Sequence, residues 1–350
     1  MSITPTVQPR TRWSLALAIG IAGAIVVGIV VLAFLWPSKT ASARNLPVSI
    51  SGPAASVTAL KGTLAEKAPG TFDFVEASDR ADAISQIETR ETYGAIILAD
   101  TPTTAPEVLT APAGSAAATQ LLTGVATQLQ AHITQTAKAA GITTPLTVTV
   151  TPVVPLSAAD PAGTGLTAAA FPLTLGGMLG GILISFLVVG PIRRLLALAG
   201  FAVSVGLVLA FVLQTWFEYI QGDFLLNAAA FGLSILATSA FIVGCTSLLG
   251  SRGIAIGAVL TLFVGNPLSA AAVPWQFLTE PWGAIGQFFV PGASNTLLRT
   301  LSYFPNADPS GQWWILASWV ALGVALTLTG HYRSKATIKG MPSIGPASGA

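Results

Sequence analysis

Apolar stretches long enough to cross a lipid bilayer constrain this chain more than any other feature of its sequence. A transmembrane helix needs about 20 apolar residues to cross a hydrocarbon core about 30 Å thick. The chain of 350 residues is 52% hydrophobic and 9% charged, whereas soluble domains carry about 25% charged residues. We predict a mostly α-helical polytopic membrane protein. Its six transmembrane helices are predicted at 13–36, 167–190, 195–216, 227–249, 254–273 and 312–330.

The first apolar stretch has two interpretations. Arg10 and Arg12 precede it, and Ala41, Ser42 and Ala43 resemble a small-residue cleavage site, so it could be a signal peptide. Its apolar core runs from Leu15 to Leu35, which exceeds the roughly 7 to 15 residues of a signal sequence. The length favours a retained membrane anchor.

The distribution of charge predicts the orientation. Under the six-span arrangement, the short segments on one side contain basic residues and no acids, and every Asp and Glu falls on the other side. Cytoplasmic loops are enriched in Lys and Arg. We therefore predict a plasma membrane protein with cytoplasmic tails at 1–12 and 331–350. The basic residues on the predicted inner side are Arg10, Arg12, Arg193, Arg194, Arg252, Arg333, Lys335 and Lys339.

Residues 37–166 are predicted to form an extracytoplasmic α/β domain with a Pro-rich linker. Short β-like runs alternate with helical ones, as expected of a compact α/β fold. Ser78 is a candidate cap for one helix, and residues 114–140 have helical periodicity. The linker at Pro152, Pro155 and Pro161 is predicted to be a semi-extended tether. The predicted strands are 46–51, 72–77, 94–99 and 146–151.

The membrane domain, 167–330, contains an apolar segment that prolines divide into short pieces. Pro267 should kink or end the fifth helix near Gly265, because proline lacks an amide hydrogen and clashes with the preceding turn. We predict that 265–305 forms short re-entrant helices in the outer leaflet, where non-helical backbone requires buried partners. A plain amphipathic surface loop is the alternative. The candidate residues of this segment are Asn266, Pro267, Trp275, Trp282 and Arg299.

Small residues at four-residue spacing predict close helix contacts. Gly20, Ala24 and Gly28 form such a row in the first span, and similar rows occur in the second and fifth spans. We expect tight packing on all three faces, within the bundle rather than at a dimer seam.

Few residues indicate other chemistry. Gln214, Glu218 and Asp223 are candidates for an exit vestibule, although loop acids near water are the simpler interpretation of the two carboxylates. His132 has no second His or Cys nearby, which favours a structural role. With no nucleotide-binding or catalytic motif and a net charge of +2, we predict no enzyme, cofactor, metal or nucleic-acid partner.

Two stretches resemble the type-2 ABC transporter permease family, in particular members with a large extracytoplasmic domain after the first span, such as the phage infection protein group. They are GNPLSAAAVPWQFLTEPWGAIGQFFVPGASNTLLR at 265–299 and SQIETRETYGAIILAD at 85–100. The resemblance implies pairing with a second permease, as a homodimer or heterodimer, and with a cytosolic ATPase. It implies export of a lipid, drug or envelope precursor. The coupling loop would be Pro191, Ile192, Arg193 and Arg194.

One departure from the family concerns ATPase docking. Its members carry an amphipathic coupling helix before the first span, but only a dozen residues precede that span here. The alternative function is a non-transporting scaffold or accessory protein whose extracytoplasmic domain binds an envelope partner or lipid. An integral membrane enzyme is a third and weaker hypothesis.

Overall fold

The computed structural model describes residues 12–99, 105–139 and 146–339, the last six of these by their backbone alone. Residues 1–11 and 340–350 of the predicted tails, Asp100, and the side chains of Lys335 and Lys339 therefore lie outside the described parts. Residues 331–339, predicted as tail, instead continue the last helix. The helices are α1 (Trp13–Thr40), α2 (Ala54–Lys67), α3 (Arg80–Glu88), α4 (Ala116–Ala139), α5 (Thr164–Leu187), α6 (Pro191–Ala210), α7 (Phe224–Leu249), α8 (Ser251–Ala258), α9 (Trp282–Gly286), α10 (Val290–Tyr303) and α11 (Ser310–Lys339). The strands are β1 (Leu46–Ser51), β2 (Phe72–Glu76), β3 (Gly94–Ile97), β4 (Glu107–Thr110) and β5 (Thr149–Pro152).

Six helices within the described residues are long and apolar enough to span a membrane, which confirms the polytopic prediction. They are α1, α5, α6 extended by π-helical turns to Trp216, α7, α8 extended to Ser269, and α11. Each coincides with a predicted span to within a few residues at most ends.

Helix α7 forms the centre of the bundle, since 83% of its apolar window is buried. It packs against α5, α6, α8, α10 and α11. The close approach of α5 and α7 depends on two glycines of α5. A Cβ on Gly177 would lie 2.8 Å from Thr238 Cβ, and a Cβ on Gly181 would lie 2.9 Å from the Ser239 carbonyl oxygen. Gly257 of α8 similarly faces Ile242. The predicted tight faces of the second and fifth spans are confirmed.

The prediction for the first span is wrong within this chain. A Cβ added to Gly20 or Gly28 would have no neighbouring atom within 4 Å, and no part of the α1 apolar window is buried. Helix α1 meets the bundle near its C-terminal end, where the Phe34 ring contacts those of Phe171 and Phe263. A row of small residues permits close packing but does not supply a partner, so the motif alone could not predict contact.

The α/β domain, residues 46–152, contains a five-stranded sheet with the order β2-β1-β3-β4-β5. Strands β1 and β2, β1 and β3, and β4 and β5 pair in parallel, whereas β3 and β4 are antiparallel. The connection from Ile97 to Glu107 is too short for the crossover helix that a parallel pair requires. Helix α4 covers one face of the sheet with Ala118, Leu122 and Val125.

The four predicted strands are present, but β4 and α2 were not predicted. Strand β4 has only four residues and lies between Pro106 and Pro112, so its sequence resembles a loop more than a strand. Helix α2 is mostly exposed, with Leu64 its one buried residue, so its apolar periodicity is weak. The predicted cap of α3, Ser78, is also wrong, because Asp79 is the capping residue. Asp79 accepts the hydrogen bond from the Asp82 amide at 2.8 Å, while Ser78 donates to the Asp82 carboxylate.

An ion pair between Arg80 and Glu107 joins α3 to β4 and makes the α/β domain sensitive to acid. The Arg80 guanidinium holds the pKa of Glu107 below its usual value, with Nε and Nη2 at 2.6 and 3.0 Å from the carboxylate. The stabilisation is therefore present above the unfolded pKa of about 4.3 and is lost as the pH falls below it.

Because Arg80 is half exposed, we expect Glu107→Gln to cost no more than about 1 kcal/mol. Hydrogen exchange of β4 at pH 7 and pH 3.5 should show a smaller acid response in the variant; an equal response would contradict the assignment.

The connecting segment, residues 265–305, consists of short helices, as predicted, but the chain turns later than expected. Asn266 keeps helical dihedral angles, and Pro267 begins a single 3-10 turn that ends at Ser269. The chain then reverses at Ala270, which has a φ of 52°. Wider π-helical turns at 259–265 let the helix reach Pro267, because they alter the hydrogen-bond ladder that proline would otherwise break.

The α/β domain packs directly on the connecting segment. Phe277 belongs to the core formed by β1, β3 and α4, and Phe304 belongs to the core on the other face of the sheet. The predicted tether is also packed: Ser157 donates to the Glu218 carbonyl oxygen at 2.5 Å, and the Asp160 carboxylate accepts from the Gly165 amide of α5 at 2.7 Å. The domain and the bundle therefore share a junction rather than a flexible connection.

Candidate binding pocket between the α/β domain and the membrane helices

A pocket of about 310 Å³ lies in this junction. Small-molecule sites in proteins typically begin at about this volume. Its walls come from three parts of the chain: the turn after α3, the loop before α4, and the connecting segment with α10. The pocket is therefore complete only when the α/β domain is docked. We call it the junction pocket.

Arg90 enters the pocket from the α/β domain. It follows the last turn of α3 with a φ of 65°, a left-handed conformation that is uncommon for a residue other than glycine. This turn directs its side chain away from the sheet and towards α10. Its Nη1 donates to the Thr296 carbonyl oxygen at 3.0 Å and to the Thr300 hydroxyl, and the guanidinium lies 5.1 Å from the Phe304 ring centre. No hydrogen bond joins its Nε or Nη2 to the described part of the chain.

Arg299 enters from the opposite side, one position before Thr300 on α10. Its Nη1 donates to the carbonyl oxygens of Ala113 and Gly114, both at 3.1 Å. Its Nη2 donates to the Ala271 carbonyl oxygen at 3.2 Å. One side chain of α10 thus contacts both the loop before α4 and the turn at Ala271 in the connecting segment.

The two guanidiniums have no carboxylate partner in the described residues. The ion pairs found there are Lys61 with Glu76 and Arg80 with Glu107, both elsewhere. Burial lowers the pKa of Arg90 to about 10; the positive charge of Arg299 acts in the same direction, and Tyr93 opposes it. Burial also lowers the pKa of Arg299. An arginine side chain stays protonated in proteins, so the pocket holds two positive charges that only dipoles and a ring face offset.

The remaining walls are mostly polar. Tyr93, whose pKa burial raises, donates its hydroxyl to Gln276 Oε1 at 3.3 Å. Gln287 Oε1 accepts from the Thr296 hydroxyl at 2.7 Å. Asn295 is 7% exposed, and its Oδ1 has no partner in the described residues. These side chains present both donors and acceptors to an occupant.

Two acids stand at the edge of the pocket rather than within it. Glu91 and Asp308 contribute to the lining but are solvent-exposed. Asp308 is already bonded to the Ser310 amide and hydroxyl, at 2.9 and 2.8 Å. Neither acid makes an ion pair with the interior guanidiniums, so the pocket has a cationic interior behind a solvated acidic rim.

The predicted residues of the connecting segment separate into two groups. Arg299 and Trp275 line the junction pocket. Asn266, Pro267 and Trp282 lie outside it, and the Asn266 amide donates to the Thr174 hydroxyl of α5 at 3.2 Å. Trp282 is 50% exposed at the start of α9. Asn266 thus holds two helices together where the fifth span ends.

The candidate vestibule residues do not line the junction pocket. Gln214 links the α6–α7 loop, donating to the Gly222 carbonyl oxygen and accepting from Asn227, at 2.8 and 2.9 Å. Asp223 caps α7 through the Leu226 amide at 2.8 Å. Glu218 is exposed with a φ of 55°. Gln214 and Asp223 make hydrogen bonds within the α6–α7 region, and Glu218 lies in the same loop. The vestibule stays a prediction.

The candidate coupling loop lies at the opposite end of the bundle. Ile192 and Arg193 are exposed in the first turn of α6, after Pro191 begins the helix. Arg194 instead turns inward, where it donates to the carbonyl oxygens of Ser185 and Val188 and to the Ser247 hydroxyl, all within 2.9 Å. It ties the ends of α5, α6 and α7 together. Ile192 and Arg193 are the residues of this loop that present surface.

Sequence reasoning missed Arg90, Tyr93, Gln276, Gln287 and Asn295. Arg90 stands between Glu88 and Glu91 at a helix end, a pattern typical of a solvated surface. One signal was available for its partner: Arg299 is the sole basic residue on the acid-rich side of the 167–330 sequence. A single cation among apolar segments indicates a specific contact.

No group of three or more His, Cys, Asp or Glu side chains suited to a metal ion occurs in the described residues. Comparison with protein-family models, with curated proteins and with solved structures finds no match.

Proposed function

We propose that this chain is the permease subunit of an ABC-type exporter, which moves a lipid, drug or envelope precursor with energy from a separate cytosolic ATPase. The supporting observation is the junction pocket, which the α/β domain and the membrane helices build jointly at one end of the bundle. The exposed Ile192 and Arg193 lie at the other end.

Helix α7 connects these two ends. Its C-terminal part holds Arg194 through Ser247, and it also packs against α10, which carries Arg299. A buried helix that contacts both regions is a physical route for coupling between them. In the proposed mechanism, ATPase docking on the 191–194 loop shifts α7 and α10 and changes the pocket. The chain itself supplies binding surfaces and no nucleotide chemistry.

A scaffold whose α/β domain acts alone fits the junction less well. Such a domain would not require α10 to complete its pocket, and its anchor would not require a half-buried charge such as Arg299. The packed linker also restricts the reach that a tethered binding domain needs.

Copurification with an ATPase tests the proposal. We expect an ATPase encoded with this chain to copurify with the tagged full-length protein, and we expect Arg193→Glu to reduce its recovery about tenfold or more, since charge reversal opposes docking. Lys67→Glu makes the same charge change on exposed α2 and should leave recovery unchanged. Equal recovery with both variants, or no ATPase with the native chain, would refute the coupling role.

Labelling tests the orientation on which the proposal depends. In a Cys245→Ala background, Lys67→Cys should react with a membrane-impermeant maleimide in intact cells. Arg193→Cys should react only after the cells are permeabilised. The reverse pattern would place the α/β domain in the cytosol and exclude the exporter function.

A further inference from the structure

The junction pocket contains two charges whose counter-ion is missing from the described residues. Arg90 and Arg299 reach it from separate domains, and neither pairs with a carboxylate there. Both side chains are half-buried. Removing a cation from water without a counter-ion is unfavourable, and the carbonyl groups that accept from the two side chains offset the cost only in part. An anionic occupant would supply the missing charge.

We propose that the junction pocket is an oxyanion site that binds a phosphate-type group between Arg90 and Arg299. This inference goes beyond the permease function, because it concerns binding alone and requires no ATPase.

The free donors of the pocket fit such a group. The Nη1 of Arg90 donates to α10, whereas its Nε and Nη2 have no partner in the described residues. Nε and Nη2 form one edge of the guanidinium group. That edge matches two oxygens of a phosphate or carboxylate. Arg299 contributes charge from the facing wall. Asn295 adds a polar side chain to the lining, although its unpartnered Oδ1 is itself buried.

The surroundings favour a tetrahedral headgroup over a long apolar ligand. Most of the side chains that face the interior are polar, and the volume of about 310 Å³ suits a headgroup rather than an acyl chain. Glu91 and Asp308 at the rim disfavour entry of highly charged polyanions. A phosphate group can come from a lipid such as phosphatidylglycerol or from a soluble phosphate compound, and the experiment must distinguish these sources.

Gln276→Glu tests the proposal without removing either arginine. Gln276 Oε1 accepts from Tyr93, and a carboxylate retains that acceptor while adding a negative charge to the pocket. The variant should keep the fold, and the carboxylate of the new Glu side chain should compete with the ligand for the site. Gln120→Glu makes the same change on the exposed face of α4 and serves as the matched control.

Binding is measured with the full chain in phosphate-free neutral detergent, titrated with inorganic phosphate, and in nanodiscs of phosphatidylcholine with or without phosphatidylglycerol. We expect saturable binding in at least one arm, weakened about tenfold or more by Gln276→Glu and unchanged by Gln120→Glu. Binding of free phosphate identifies a soluble source, and binding only with phosphatidylglycerol identifies a lipid headgroup. No binding in either arm, or equal binding by both variants with unchanged melting temperatures, overturns the proposal. Because no ATPase is present, this result is independent of the copurification test.

Discussion

Gly206→Leu is expected to prevent accumulation of the folded membrane domain. Helices α6 and α7 cross at Gly206 and Gly232, and a Cβ on Gly206 would lie 2.4 Å from the Ala228 carbonyl oxygen and 2.9 Å from the Gly232 amide nitrogen. Both neighbours are backbone atoms of the central helix, so no side-chain rotation can relieve the clash. Overpacking a core typically costs about 1–3 kcal/mol, and separation of two backbones costs more.

Gly200→Leu is the matched control on the same helix, because a Cβ there has no neighbour within 4 Å. The measurement is the monodisperse fraction and the melting temperature of the purified protein. We expect Gly200→Leu to match the native chain and Gly206→Leu to be aggregated or strongly destabilised. Native-like behaviour of Gly206→Leu would contradict the α6–α7 crossing.

Arg299→Leu is expected to release the α/β domain from the bundle. The change removes three hydrogen bonds, to the carbonyl oxygens of Ala113, Gly114 and Ala271. Ala271 keeps the Thr167 hydroxyl as a donor at 3.3 Å, so the loss falls mainly on Ala113 and Gly114. Ala113 is 1% exposed, so its oxygen gains no water in exchange. Each buried acceptor left without a donor costs about 1–3 kcal/mol.

Hydrogen exchange of the full chain should show faster exchange in α10 and at the start of α4 in this variant. Arg299→Lys should be intermediate, because one ammonium retains the charge but cannot reproduce the planar fork of donors. Arg44→Leu, which removes an arginine bonded only to Ser42 in the described residues, is the control. Unchanged exchange in Arg299→Leu would show that Arg299 does not hold the junction.

The sequence was sufficient for features that depend on local patterns. The six spans follow from length and hydropathy, and the four predicted strands follow from β-like runs. The rows at Gly177 and Gly257 correctly predict close contact, whereas the same spacing at Gly20 does not, because partner choice is a tertiary property. The later reversal at Ala270 depends on π-helical turns that have no marker in the residues themselves.

The junction pocket could be predicted only in part. Arg299 was identifiable as an isolated cation in an apolar, acid-bordered region. Arg90 was not, because its role arises from a left-handed turn and from α10, about 200 residues further along the chain. The charge pattern around it, Glu88-Thr89-Arg90-Glu91, is that of an ordinary solvated helix end. Long-range docking, rather than local propensity, creates the cationic interior.

The central claim is that the α/β domain docks on the connecting segment, and site-directed cross-linking tests it most directly. Two of the side-chain contacts that cross the junction lie outside the pocket: Asn45 with Glu280 at 3.0 Å, and Asn306 with Glu88 at 2.9 Å. Cysteine pairs at 45 and 280 and at 88 and 306, in a Cys245→Ala background, are treated with a short thiol-reactive cross-linker in dilute, folded protein. The docked arrangement predicts cross-linked peptides from both pairs by mass spectrometry and none from the single-cysteine variants. Full labelling of all four cysteines without a cross-link from either pair would contradict it.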